Sequence, residues 1–111
     1  MSDKNISALI LVKQLQADIL RLLSYLEVTT LDRREQLALG QFKNDLTDAK
    51  LDIQDYENAE TRDEQAQHSK DAKERLVRVH SLISSNTLHV FGAVDVAHLT
   101  AQIGQINDRL R

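Results

Sequence analysis

The chain has 111 residues with 17 acidic and 14 basic side chains, a formal charge of -3. That is length for one packed core and too little for a second, and it supplies no positive field to gather a phosphate backbone. Cysteine and proline are absent, which removes disulfides, thiolate nucleophiles and cysteine-based zinc sites and fits the reducing cytoplasm.

Leu, Ile, Val and Phe make up 33 of the residues, far above the roughly 20% below which a chain stays disordered. Aromatics are only 4%, so the core is aliphatic and short of the aromatic walls common in ligand pockets. The opening Met-Ser-Asp-Lys-Asn is no signal sequence, and Ser2 stands where myristoylation needs glycine. The apolar run Ala8 to Val12 is too short to enter a membrane.

From about residue 3 to 28 a first helix is predicted, because Ala8, Val12, Leu15, Ile19, Leu22 and Leu26 recur at alternating spacings of four and three. Leu9, Leu11, Leu20 and Leu23 widen this stripe, as in a helix that touches two neighbours, and make it the expected centre of the bundle. Thr29 and Thr30 break the pattern. Asp32 with Glu35 three residues on then opens a second helix over about 31–58, its seam Leu39, Phe42, Leu46, Ala49, Ile53 and Tyr56.

Carrying that seam onward would put Glu60, Asp63, Gln67 and Lys70 in the core, so the register must change. Asn58 is suited to a left-handed helix end, and Thr61 with Glu64 forms a capping box. An αα-hairpin at 58–61 follows, pairing Val77 with Phe42 and Ala66 with Ile53; the competing arrangement is one helix continuous to Ser85. The third helix, about 61–85, has the seam Ser69, Ala72, Leu76, Val79 and Ile83. Residues 84–94 lose the helical period and read as an ordered connection pinned by Leu88 and Phe91. Asp95 is the expected N-cap of a last helix, about 95–110. The fold expected is therefore all-α, an antiparallel three- or four-helix bundle with heptad-type seams, in a single domain.

Four groups of residues invite functional weight. Asp45, Asp48, Asp52 and Asp55 line one flank of the second helix, where they could dock a basic partner or simply be solvated beside Lys43 and Lys50. Val96, Leu99, Ile103, Ile106 and Leu110 form a narrow apolar stripe on the last helix, fit either to close the bundle or to enter a partner's groove. Histidines 68, 80, 89 and 98 match no helical metal-site spacing. Serines 81, 84 and 85 near His80 have no nucleophile elbow or glycine-lined oxyanion site. No enzyme activity, cofactor or metal is expected, and an all-helical mutase would need inward-facing arginine and acid groups, whereas Arg21 is the sole arginine in the first helix.

The stretch from Arg33 to Ser85 carries Gln41-Phe42-Lys43-Asn44-Asp45-Leu46, Leu51-Asp52-Ile53-Gln54-Asp55-Tyr56 and Lys73-Glu74-Arg75-Leu76-Val77. It resembles the N-terminal three-helix regulatory domain of syntaxin-like SNARE proteins. With the first helix, the resemblance covers about three quarters of the chain and consists of heptads with polar flanks. It implies a regulatory module that binds tethering or other trafficking factors on the cytosolic face of an internal membrane, held there by segments beyond these residues. The family's long SNARE helix with its central Gln or Arg layer, and its membrane anchor, are not in this sequence. The alternative is a self-contained helical adaptor or anti-regulator that forms a homodimer through its last helix. Both expectations are of a protein partner, with no nucleic acid and no membrane insertion by these residues.

Overall fold

Capping chemistry decides where the helices begin. In the computed structural model, which describes residues 7–110, α1 runs Ala8–Leu23, α2 Arg33–Asn58, α3 Arg62–Ser85 and α4 Ala93–Arg109. Ser7 Oγ accepts from the Ile10 N–H at 3.2 Å, satisfying one of the orphan donors of the first turn of α1. The expected start at Asp3 lies outside the described residues. Asp32 and Glu35 form the reciprocal capping box, each carboxylate accepting the other's backbone N–H at 2.8 and 3.2 Å. Thr61 Oγ1 caps α3 by accepting from the Glu64 N–H at 3.1 Å.

Three of the expected helix ends are corrected, the first being that of α1, which stops at Leu23 and not near residue 28, with a separate 3-10 turn over Val28–Thr30 before α2. The last helix begins three residues early, with Gly92 as N-cap and Asp95 at the third helical position, where its carboxylate accepts from the Gly92 N–H at 3.1 Å. An acid in either place meets the positive end of the helix, and spacing alone does not choose between them. Asn58 does not take the left-handed conformation: α2 passes into an extended Ala59 at φ -63° and ψ 137°.

The left-handed turn belongs instead to Asn86, at φ 48°. This residue ends α3 and organises the connection after it. Its Nδ2 donates to the Phe91 carbonyl at 2.8 Å, and its Oδ1 accepts from the Phe91 N–H at 3.1 Å. Both Leu88 and Phe91 are thereby held in the core, with the Phe91 ring 5.8 Å from Phe42. Asn86→Ala should cost about 1–3 kcal/mol in a urea melt, since it removes two partly buried hydrogen bonds and strains the backbone. Asn86→Gly should recover only the backbone part, and a glycine variant as stable as the parent would show that the side-chain clamp contributes nothing.

The helices form an antiparallel four-helix bundle. α2 and α3 are the most extensively packed pair, α1 packs on α2 and α4, and α4 packs more closely on α1 than on α3. The first helix is therefore one wall of the bundle and not its centre. The core is aliphatic: Val12, Leu15 and Ile19 of α1 meet Leu46 and Ile53 of α2, Leu76 and Ile83 of α3, and Leu99 and Ile106 of α4. Leu22 sits at the edge, half-buried, and Leu23 takes the inward place, because α1 ends there and its last turn follows a spacing of four from Ile19.

Candidate functional site

The two surfaces singled out in the sequence are both engaged within the chain. Asp45 is 5% exposed and faces Arg78 of α3 across 3.9 Å. Arg75 reaches Asp48 at 3.8 Å and Asp52 at 3.7 Å, so three of the four aspartates form a ladder to α3, and Asp55 remains exposed. The pairs 45–78 and 48–75 also set the hairpin register. Val77 is turned outward, 62% exposed, and not toward Phe42 as the expected pairing had it. The stripe Leu99, Ile103, Ile106 and Leu110 is buried in the bundle, with Val96 packed partly buried against it. It closes the chain's own core and leaves no free apolar seam on α4 for a partner.

The ladder has an electrostatic cost. Burial pushes the Asp52 carboxyl above its ordinary range, Arg75 pulls it back, and the carboxylates of Asp71, Asp48 and Asp55 push it further up. A carboxyl raised on folding contributes stability that is full below its unfolded value and is lost as pH rises through the folded one. Asp52→Asn should therefore be more stable than the parent at neutral pH, with Arg75 still held by Asp48, and the gap should close as pH falls through the carboxylate range. Urea melts at neutral and acid pH check this; a loss of stability at neutral pH would mean that the Arg75 ion pair outweighs burial.

A third feature was not visible along the sequence. Between α3 and α4 an open groove of about 280 Å³ is lined by Leu76, Val77, His80, Thr100, Ile103, Gly104 and Asn107. Leu76 and Ile103 form its buried floor, Val77 an exposed apolar rim. A Cβ built on Gly104 meets nothing within 4 Å, so the glycine widens the groove and serves no packing need inside the chain. Asn107 Oδ1 is buried without a hydrogen-bond donor, an acceptor left over in the wall. The groove exists because α4 leans on α1.

Chemically the groove can take apolar side chains. Its single titratable lining residue, His80, faces Ser84 one turn along the same helix at 3.4 Å. Among the described residues no group of three or more His, Cys, Asp or Glu side chains could hold a metal ion, and no helix is long and apolar enough to cross a membrane. A signal for the groove was present in retrospect: Val77 lies off the seam of α3, and Gly104, the poorest helix former in α4, falls in its interior. Compared with family models, with curated proteins and with solved structures, the chain matches none.

Proposed function

We propose that this protein is a non-enzymatic interaction module whose α3/α4 groove receives an amphipathic helical segment of a partner protein. The observation that carries the proposal is the groove itself, an apolar floor and rim with a glycine opening. Helices in grooves are recognised by apolar anchors one turn apart, and Leu76, Val77 and Ile103 provide the complementary surface.

A narrower form of the proposal is the regulatory domain of a SNARE-type trafficking protein that binds tethering factors. It has the support of the antiparallel bundle alone, an architecture that many functions share. The adaptor that dimerises through its last helix loses support, because the apolar stripe of α4 is spent on the core. We place the module in the cytoplasm on its lack of cysteine.

Photo-crosslinking residues placed at position 77 or 104 test the groove, with exposed Asp63 at the start of α3 as the control position. The same partner should be trapped from both groove positions and not from 63. An identical set of adducts from all three positions, or none from the groove, would count against it.

A further inference from the structure

The outer face of α2, opposite its buried seam, is unlike the outer face of an ordinary surface helix. Leu37, Asn44 and Leu51 follow one another at intervals of seven, with Gly40, Thr47 and Gln54 each three residues on from one of them, and all six are exposed. Not one carries a charge. Leu37 is 68% and Leu51 50% exposed. Gly40 sits mid-helix with nothing within 4 Å of an added Cβ, so it weakens the helix without serving any neighbour in the chain.

Between Leu37 and Asp55 the charges lie on the two flanks, and they are of opposite sign; Arg33 stands on the line of the stripe before Leu37, and Glu57 follows Lys50 on the lysine flank. Lys43 and Lys50 follow one side of the stripe, Asp48 and Asp55 the other. In a parallel in-register pair of helices, the residue on one flank meets the residue five positions on in the opposite flank of the second copy. Lys43 then faces Asp48 of the second copy, and Lys50 faces Asp55. In an antiparallel pair like flanks meet, lysine beside lysine and aspartate beside aspartate.

We propose that this face of α2 is a self-association surface on which two copies pair in parallel and in register. Leu37 and Leu51 are the apolar contacts, Gly40 and Thr47 let the helix axes approach, and Asn44 meets its own counterpart, a polar contact that fixes parallel register in two-stranded coils. Small and polar residues at alternate core positions make the pair weak, so its orientation is set by the flanking charges. The face shares no residue with the α3/α4 groove, and a paired molecule would present two grooves to a bivalent partner.

Sedimentation equilibrium of the full chain over a concentration series should show monomer and dimer. Lys50→Glu and Asp55→Lys should each weaken association roughly tenfold, because two symmetry-related pairs turn from attraction to repulsion. An equimolar mixture of the two variants restores both pairs in the mixed dimer and should associate as tightly as the parent. A monomeric parent, or a mixture no tighter than its components, would overturn the proposal.

Orientation has its own readout, since the chain contains no cysteine. Thr47→Cys and Gln54→Cys, each as a separate chain, should both form disulfide-linked dimers on mild oxidation. If an antiparallel pair brought position 47 onto its own copy, it would separate the two positions 54 by roughly 21 Å at 1.5 Å rise per residue, beyond disulfide reach. Crosslinking by only one of the two, or by neither, would refute parallel pairing.

Discussion

A chain ending at Val94 is expected to be unfolded. Removal of the rest of α4 takes away Leu99, Ile103, Ile106 and Leu110, all buried, and uncovers the core residues against which they pack. At about 1.5–3 kcal/mol for each large aliphatic side chain removed from water, the loss is roughly 6–12 kcal/mol. A domain of this size has a net stability of only about 5–15 kcal/mol, so little or nothing remains. The loss of Tyr56 Oη donation to the Arg109 carbonyl at 3.2 Å adds to it. Far-ultraviolet circular dichroism of the truncated chain should show a large fall in helix content and no cooperative melt. A cooperative transition with the parent's midpoint would show that three helices close the core by themselves and that the α4 stripe is free to bind.

The second large effect is expected at the junction of α2 with the connection after α3. Phe42→Ala should cost about 3–5 kcal/mol and Leu46→Ala about 2–5 kcal/mol, read as a shift in urea midpoint at constant slope. Both side chains are almost wholly inaccessible, and neither site can collapse easily, since long helices flank them. Phe42 also carries the ring contact to Phe91, so its loss frees the segment that Asn86 clamps. Leu22→Ala, at the half-buried edge of α1, should cost clearly less than Leu23→Ala. Equal costs would contradict the register of the last turn of α1.

Local chemistry was the part of the fold legible in the sequence. Asp32 with Glu35 and Thr61 with Glu64 encode helix starts within four residues; the first forms the full reciprocal box, and the second forms its Thr61 half, with Glu64 accepting from the Glu60 N–H in place of Thr61's. Spacings of three and four marked the buried faces of all four helices, because a helix has the same period wherever it packs. What depends on how helices meet was not legible. The expected pairing of Val77 with Phe42 had the hairpin in the wrong register, since nothing in Ala59, Glu60 and Thr61 states how far the chain advances before it turns. Arg75 and Arg78 have Asp71 and Glu74 as acidic neighbours along their own helix, while the carboxylates they meet are 23 to 33 positions earlier, on α2.

The candidate site was the least legible part. The acidic flank of α2 and the apolar stripe of α4 each look like binding surfaces along one helix, yet each is met by a neighbour within the fold. The groove, by contrast, is a property of the space between two helices. Its residues lie on separate stretches, 76–80 and 100–107, and its width follows from the lean of α4 toward α1.

The most direct test of the groove as the binding site is crosslinking from position 77 in a Gly104→Leu background. Leucine is the better helix former by about 1 kcal/mol, and its Cβ enters space where nothing lies within 4 Å, so the fold should be at least as stable as before. Its side chain fills the groove. The account predicts a stably folded protein from which the crosslinked partner has disappeared; a stable Gly104→Leu chain that still captures the same partner from position 77 at the parent's yield would contradict it.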